Sequence, residues 1–598
     1  MQPSITSLIK RLWHHISPRR RVQFGLLLVL MVLASFAEVL SIGAVLPFLG
    51  ILTAPKRIFE LQAAQPVIQA LGLIKPEQLL VPLTLAFSLA VLISGSMRLL
   101  LLWATTRLSF SCGADLSSGI YRSTLYQPYA VHCARNSSEV ISVISGKTNI
   151  VIYNIIMPAL TLLSSSIMLT AILIALLIVN PGIALATFGG FGVIYTSVIY
   201  LTRNRLLING QINSRESTQV IKSLQEGLGG IRDVLLDGTQ SKYCEVYSRA
   251  DLSLRRAQGS NMFISASPRY AMEALGMILI AVMAYSLAKQ VDGISKAIPI
   301  LGALALGAQR LLPVLQQVYS SLTVIKGNQI SLQDTLQLLE QPLPDYINEP
   351  ISQPLAFMHN ICLKKVDFRY SSETPYVLNQ LDLNILKGSC VGFIGTTGSG
   401  KSTLLDIIMG LLQPTKGSLN IDGQKIDSSN QRLWQAHIAH VPQTIFLADS
   451  SIEENIAFGV SSDQIDKLRV REAARKAQIA GDIESWADQY KTFVGERGVR
   501  LSGGQRQRIG IARALYKQAD VIIFDEATSA LDNETEVSVM QAIEGLSEDL
   551  TVLIIAHRLT TLKNCSMIVE LSEGEIKRTG SYDAMVKQPK TSSKEDKS

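Results

Sequence analysis

The first half of the chain consists of long apolar stretches separated by charged segments. The longest stretch without Lys, Arg, Asp or Glu lies between Lys147 and Arg203 and contains 55 residues. A helix needs about 20 residues to cross the hydrocarbon core of a membrane, so this stretch can hold two spans, with a turn at Asn180-Pro181-Gly182. Four further apolar stretches raise the number of predicted membrane helices to six. The six predicted spans are Phe24–Leu49, Leu79–Trp103, Ile150–Val179, Ile183–Leu201, Asn261–Leu287 and Ala297–Ile325.

Beyond the last span the pattern becomes that of an ordinary globular domain. We therefore predict an all-α six-helix transmembrane domain followed by a soluble α/β domain. Near the N-terminus, Leu8, Leu12 and Ile16 share one helical face, which predicts a short interfacial helix on the cytoplasmic side of a membrane. The predicted limits are 1–21 for the interfacial helix, 22–325 for the transmembrane domain, 326–353 for a linker, 354–586 for the soluble domain and 587–598 for a polar tail.

Composition and charge agree with a membrane protein. Charged residues make up 17% of the chain, against about 25% in a typical soluble domain. The formal net charge of +7 would suit nucleic acid or an anionic membrane surface, but Lys and Arg concentrate in residues 1–21 and 203–260. Cytoplasmic loops are enriched in these residues, so we predict cytoplasmic termini, a cytoplasmic soluble domain and no nucleic-acid partner. The six cysteines lack metal-ligand spacing and should stay reduced in the cytoplasm, so we predict neither a disulfide nor a zinc site.

A glycine-rich segment in the soluble domain carries the first candidate chemistry. It follows the predicted strand Val391–Ile394 and precedes a predicted helix, and it matches the GxxxxGK[ST] pattern of a phosphate-binding loop. The loop consists of Gly395, Thr396, Thr397, Gly398, Ser399, Gly400, Lys401 and Ser402, followed by Thr403. We predict that this segment binds ATP, with Lys401 on the β- and γ-phosphates and the Ser402 hydroxyl on Mg²⁺. The alternative, an incidental glycine-rich turn, leaves the flanking strand and helix unexplained.

A second apolar strand ends in two carboxylates. Val521–Phe524 is continuously apolar, as expected of a buried parallel strand, and Asp525 and Glu526 follow it. We predict that Asp525 holds Mg²⁺ through water and that Glu526 polarises the attacking water as general base. Two acids after a strand are weak evidence alone, but they gain weight from the phosphate loop upstream.

Between these two motifs stands Leu501-Ser502-Gly503-Gly504-Gln505, which is similar to the signature sequence of ATP-binding cassette (ABC) transporters. Further positions resemble landmarks of that family in the expected order. Tyr370 resembles the aromatic residue that stacks on adenine, Gln443 the Q-loop glutamine that senses Mg²⁺, Ser529, Ala530, Leu531 and Asp532 the D-loop, and His557 the switch histidine that contacts the γ-phosphate.

The resemblance implies that the soluble domain is an α/β P-loop NTPase ABC cassette, and that two cassettes enclose ATP head to tail to form the ATPase. One copy's phosphate loop would then face Ser502, Gly503, Gly504 and Gln505 of the other copy. Because Glu526, His557 and the signature are all intact, we expect a homodimer with two hydrolytic sites. Each chain would be half a transporter of the exporter type, with ATP and Mg²⁺ as cofactors.

Charged side chains inside the predicted spans bear on the substrate. A charge at mid-bilayer costs at least ~2.5 kcal/mol on insertion scales, so it usually faces a cavity or a partner. Arg269 and Glu273 lie four residues apart and predict an ion pair, while Glu38 can pair with Arg98 or Arg310. One arginine per chain would then remain for an anionic substrate.

The segments around these residues are similar to bacterial flippases for lipid-linked oligosaccharides and to related polysaccharide and glycolipid exporters. The similar segments are Ser35–Phe48, Pro268–Gly276 and Arg310–Pro313. This resemblance implies ATP-driven flipping or export of an anionic lipid-linked oligosaccharide across a bacterial-type inner membrane, among membrane lipids. Two alternatives stay open: a multidrug, lipid or peptide exporter of the same architecture, and a non-transporting channel or regulatory subunit, which the intact hydrolytic residues disfavour.

Overall fold

The structure is a computed structural model, and it divides the chain into two compact units. The first comprises Met1–Gln127 and Arg135–Pro342, and the second comprises Pro128–Ala134 and Leu343–Ser598. The residues that it describes are 3–44, 48, 59, 65–70, 72–179, 181–288, 311–348, 354–526, 533–544, 549–556 and 559–586.

The first unit is helical in the part of the chain described. Its helices are Ile5–His15, Pro18–Gly43, Gln65–Ala70, Leu80–Leu125, Ser137–Ile141, Thr148–Val151, Met157–Val179, Pro181–Gly229, Ile231–Leu236, Gln240–Ala288, 311–327 and Gln329–Leu339, with a 3₁₀ turn at Pro76–Leu79 and π-helical segments at Ser142–Lys147 and Ile152–Ile156. Three helical stretches among the described residues are long and apolar enough to cross a membrane: Pro18–Ser41, Pro76–Leu125 and Ser137–Ile174.

Several helices are much longer than the predicted spans on them. The Leu80–Leu125 helix has 46 residues, which at 1.5 Å per residue gives about 70 Å, more than twice the ~30 Å hydrocarbon core. The Pro181–Gly229 and Gln240–Ala288 helices have 49 residues each. The predicted spans therefore continue as helices beyond a bilayer. Residues 297–310 of the sixth predicted span, with Arg310, lie outside the described residues.

The apolar stripe near the N-terminus faces protein, whereas we expected it to face a membrane. Leu8 and Leu12 are buried in one cluster with Leu332 and Leu336 of the Gln329–Leu339 helix. Arg11 reinforces this contact through an ion pair with Glu340. The stripe is buried because the Gln329–Leu339 helix offers an apolar face with matching spacing.

The second unit is α/β, which confirms the predicted fold class of a helical domain joined to an α/β domain. Its strands are β1 (Asn360–Phe368), β2 (Leu378–Leu386), β3 (Cys390–Gly395), β4 (Lys416–Ile421), β5 (Gln424–Lys425), β6 (Ile438–Val441), β7 (Val521–Asp525), β8 (Thr551–Ile555), β9 (Met567–Ser572) and β10 (Glu575–Gly580). Its helices are Tyr129–Ala134, Lys401–Ile408, Gln431–Gln435, Ile452–Ile456, Lys467–Lys476, Ala480–Ser485, Gly503–Lys517, Asn533–Glu544 and Tyr582–Val586.

Two sheets organise this unit. The smaller sheet has the order β2-β1-β4-β5 and is antiparallel. The larger sheet has the order β10-β9-β3-β8-β7-β6, and β3, β6, β7, β8 and β9 run parallel within it. The carboxyl ends of parallel strands meet at one edge of a sheet, where ligands of open α/β sheets bind. The segments that follow β3, β6 and β7 therefore converge on one place.

Candidate functional site

The predicted nucleotide motifs lie at this common edge. The phosphate loop follows β3, Gln443 follows β6, and Asp525 and Glu526 end β7. Register fixes their proximity, because Asp525 is paired with Ile555 on β8, and β8 pairs with β3. Residues distant in sequence are thus brought together by strand order.

Two glycines of the phosphate loop occupy positions that a side chain could not share. At Gly400 φ is +96°, and a Cβ there would lie 2.7 Å from Leu378. At Gly395 φ is +150°, and a Cβ would lie 2.3 Å from the carbonyl oxygen of Leu571. The loop can pass this close to its neighbours only because these positions lack a side chain.

Polar groups of the loop suit phosphate. The Lys401 ammonium is largely buried and donates to the carbonyl oxygens of Gly395 at 2.8 Å and Thr396 at 3.0 Å. The buried Ser399 hydroxyl has no hydrogen-bond partner among the described residues. Gly400 caps the Lys401–Ile408 helix without a side-chain acceptor, so the first N–H groups of this helix are available to an anion.

Carboxylates beside the loop suit a cation. Burial, together with the nearby Glu526 carboxylate, raises the pKa of Asp525, while Lys401 opposes that shift. Burial and then the charge of Asp525 raise the pKa of Asp406 to about 6. A bound Mg²⁺ would offset this accumulated negative charge, so Ser402, Asp525 and Gln443 fit the predicted metal set.

Glu526 is held beside the Q-loop glutamine. The Gln443 side-chain amide donates to a Glu526 carboxylate oxygen at 2.6 Å. Glu526 also adopts φ +52°, a left-handed conformation that is costly for a residue with a side chain and that clusters at functional sites.

Tyr370 lies next to the same loop. Its hydroxyl is 3.1 Å from the Thr403 hydroxyl, and its ring meets Phe368 edge to face at 5.0 Å. The residue remains 53% exposed, which leaves ring surface for stacking on a base.

The signature residues begin a different helix. Ser502 caps the Gly503–Lys517 helix by accepting from the Gln505 N–H at 3.2 Å, and Gln505 accepts from the Ser502 N–H at 3.0 Å. This reciprocal capping box sets where the helix starts, so Gly503 and Gly504, both partly buried, form its first turn. The predicted D-loop, Ser529 to Asp532, and His557 lie outside the described residues.

Comparisons with known proteins agree with this geometry. The ABC transporter family profile matches residues 378–529. A solved structure of a bacterial Atm1-family ABC exporter with ATP bound superposes with a TM-score of 0.76 at 23% identity, covering 95% of this chain and 96% of that one. Residues 378–529 therefore carry an ABC transporter ATPase domain, and the chain has the fold of that exporter.

Curated proteins similar to this chain include two named ATP-dependent lipid A-core flippase. The one from Saccharophagus degradans is 42% identical over 38% of this chain and 38% of its own length. The one from Alkalilimnicola ehrlichii is 31% identical over 60% of both. The matched part of the first curated relatives ranges from 21% to 60% of their length.

In the helical unit, two of the three arginines in the predicted spans are paired. Arg98 forms an ion pair with Glu38, which is buried and also accepts from the Ser94 hydroxyl at 3.0 Å. Arg269 forms an ion pair with Glu273 at 2.8 Å. Pairing neutralises both cations at short range. Arg310 lies outside the described residues.

A cavity of about 790 Å³ in the helical unit brings Arg269 together with residues that the sequence did not single out. Many of its lining residues carry a hydroxyl or amide side chain, and Arg269 is the one ionisable side chain with a full charge among its described lining residues. Two buried atoms of the wall, the Asn213 Oδ1 acceptor and the Asn261 Nδ2 donor, have no hydrogen-bond partner in the described part of the chain. Unpaired buried polar atoms of both kinds suit a polar ligand.

Sequence reasoning also missed Asp406. It lies four residues after Ser402 on the Lys401–Ile408 helix, and that spacing places both on one helical face. The periodicity could therefore have identified it. Asn213 and Asn261, by contrast, lie on separate helices, and their sequence offers no local signal.

Proposed function

We propose that two copies of this chain hydrolyse ATP to flip or export an anionic lipid-linked oligosaccharide or similar glycolipid across a bacterial-type inner membrane. The observation that carries the proposal is the cavity wall of hydroxyl and amide groups with a single cation, Arg269. Such a wall can exchange hydrogen bonds with saccharide hydroxyls, which both donate and accept. No carboxylate is among its described lining residues, but Glu273 pairs with Arg269 at 2.8 Å, so an anionic group would share the guanidinium with Glu273.

The relatives' names support the lipid class. Two relatives are named flippases of lipid A-core, which is itself a glycolipid. The alternative of an apolar drug as substrate is less well supported, because it would leave Asn213 Oδ1 and Asn261 Nδ2 buried without partners, at a cost of about 1–3 kcal/mol each.

The chain's own residues supply the steps at the nucleotide. The backbone N–H groups after Gly400 and the Lys401 ammonium bind the phosphates, and the exposed Tyr370 ring stacks on the base. Glu526 takes a proton from the attacking water, and Gln443 orients the Glu526 carboxylate. Mg²⁺, when bound, neutralises charge on the transferred phosphoryl group.

We infer dimerisation from the separate positions of the phosphate loop and the signature in this chain. Ser502 begins a helix whose N-terminus suits a γ-phosphate, and we assign that phosphate to the second copy. The D-loop residues and His557 would complete each site. ATP binding would then draw the cassettes together, and hydrolysis would release them.

The proposal can be tested by ATPase stimulation in lipid nanodiscs that hold the full-length protein. We expect a polyprenyl-pyrophosphate-linked saccharide to stimulate hydrolysis several-fold more than polyprenyl phosphate without sugar or a hydrophobic cationic drug. The strongest stimulation by the drug would instead support a multidrug exporter. No ATPase activity under any condition would contradict the proposed ATP-driven function.

A matched pair of variants locates the substrate effect. Arg269→Gln should abolish the stimulation and leave basal ATPase unchanged, because Arg269 lines the cavity. Arg249→Gln is the control, since Arg249 forms the same kind of ion pair, with Glu245 four residues away on the same helix, but does not line the cavity. Equal stimulation of both variants would remove Arg269 from the proposal.

A further inference from the structure

Two cysteines that are far apart in sequence meet in the second, α/β unit, which is called the cassette below. Cys390 is the first residue of β3 and Cys565 lies two residues before β9. Their Sγ atoms are 2.9 Å apart, although 175 positions separate the residues. Both are thiols in the structure. The contact arises because β3 and β9 are neighbouring parallel strands.

The backbone holds the two thiols in this position. The N–H and the hydroxyl of Ser566 both donate to the carbonyl oxygen of Cys390 at 2.9 Å, and the Cys565 N–H donates to the carbonyl oxygen of Leu562 at 3.0 Å. Cys390 is partly exposed and Cys565 is buried. One thiol can therefore meet a small oxidant while its neighbour is already in contact.

We propose that Cys390 and Cys565 are a redox modification site, which a hydroperoxide converts into an intradomain disulfide. This inference is independent of the transported substrate. Disulfides in cytosolic proteins are usually transient or redox-sensing, and such cysteines are accessible and lie next to a resolving thiol. The arrangement of Cys390 and Cys565 meets both criteria.

The chemistry proceeds in two balanced steps. The Cys390 thiolate attacks the peroxide, the O–O bond breaks, and an alcohol or water leaves as Cys390 becomes a sulfenic acid. The Cys565 thiol then loses its proton and attacks the Cys390 sulfur, the S–O bond breaks, and water leaves. Two thiols are oxidised to one disulfide, and one hydroperoxide is reduced.

The position of Cys390 and Cys565 determines how a disulfide between them would affect the protein. Cys390 is at the amino end of β3, whereas the phosphate loop follows the carboxyl end, so the bond does not alter the nucleotide edge. It closes a loop that contains the phosphate loop, the signature, Asp525 and Glu526. Closing a long loop restricts the unfolded chain, so the disulfide should stabilise the cassette under oxidation and leave ATP hydrolysis intact.

The test treats the purified full-length protein with increasing hydrogen peroxide, alkylates the remaining thiols and maps disulfides by mass spectrometry without reduction. We expect the number of alkylated thiols to fall from six to four, with Cys390 linked to Cys565 and with full reversal by a phosphine reductant. The thermal midpoint of the oxidised protein should rise by several degrees, with the ATPase rate within twofold of the reduced protein.

Two variants make the result specific. Cys565→Ser should leave Cys390 as a sulfenic acid that dimedone traps, with no disulfide and no rise in the midpoint. Cys133→Ser, at an exposed cysteine elsewhere, should behave like the wild type. The proposal is overturned if other thiols oxidise while Cys390 and Cys565 remain alkylatable, or if the mapped disulfide joins another pair.

Discussion

At the scale of single residues, Glu526 is the proposed general base, and its position depends on an unusual backbone conformation. Its φ of +52° and the 2.6 Å hydrogen bond from Gln443 fix its carboxylate at the end of β7. A general base contributes about 10²–10⁴-fold to a rate. Glu526→Gln should therefore lower the ATPase rate at least 100-fold while ATP still binds, measured by phosphate release and by nucleotide binding.

The control for this variant is Glu573→Gln. Glu573 also has a left-handed backbone, with φ +51°, but it lies in the turn between β9 and β10 with an exposed side chain that has no role in the proposed hydrolysis. Its ATPase rate should match the wild type. More than half of the wild-type rate in Glu526→Gln would remove Glu526 as the base.

Asp406 makes the stability of the cassette depend on pH. Its pKa is about 6 in the folded chain against an ordinary 3.8, so the folded state holds the proton over that interval. Stability due to Asp406 is therefore greatest at low pH and is lost as pH rises from about 4 to 6. Asp406→Asn should raise the thermal midpoint of the nucleotide-free protein at pH 8, and the difference should vanish near pH 4.

Asp427→Asn is a control, because its carboxylate should have the opposite effect on stability at pH 8. Hydrogen bonds from Ser429 lower the pKa of Asp427, so loss of that carboxylate should destabilise the protein at pH 8, if it changes the midpoint at all. An Asp406→Asn variant that is less stable than the wild type at pH 8 would contradict the pKa assignment.

Residue types and spacing allowed the nucleotide motifs to be predicted from sequence. They could not reveal the contact of Cys390 with Cys565, since strand order rather than local pattern creates it. Sequence also left the partner of Glu38 open between two arginines. The structure pairs it with Arg98, a choice that depends on how the Pro18–Gly43 and Leu80–Leu125 helices pack.

At the scale of elements, apolar length predicted where long helices lie but not where they end or what their other faces contact. The Leu8 and Leu12 stripe shows this, because an amphipathic pattern does not distinguish lipid from an apolar protein surface. The buried Lys147 is a second case. It was only the boundary of an apolar run in the sequence, yet it joins three helical segments in the structure.

Lys147 should stabilise the helical unit strongly. The Lys147 side chain is 5% exposed. Its ammonium donates to Asp334 at 2.6 Å and to the Ser214 hydroxyl at 2.9 Å. Removing one partner of a buried ion pair typically costs about 3–5 kcal/mol. Lys147→Met should therefore lower the thermal midpoint of the full-length protein clearly, and Lys147→Met/Asp334→Leu should recover most of the loss.

Lys222→Met is the matched control. Lys222 forms an exposed ion pair with Glu226 at 3.8 Å, and exposed pairs contribute about 0–1 kcal/mol. Its midpoint should stay close to the wild type. If Lys147→Met and Lys222→Met have equal effects, the buried network does not stabilise this unit.

At the scale of the whole molecule, we propose that ATP hydrolysis in the cassette drives transport through the polar cavity of the helical unit. The fold class and the order of the two units followed from hydropathy and motif order. The substrate did not, because the cavity wall is assembled from helices that are distant in sequence, and Arg310 lies outside the described residues. The proposed function therefore depends on the coupling of hydrolysis to transport.

This coupling can be measured as translocation in proteoliposomes. A fluorescent polyprenyl-pyrophosphate-linked saccharide would be followed by its protection from a membrane-impermeant quencher, with wild-type protein and with Glu526→Gln. We predict movement between leaflets with ATP, none with ADP, and none in the variant. Equal movement without ATP, or no movement by a wild-type protein that hydrolyses ATP in the same vesicles, would contradict the account.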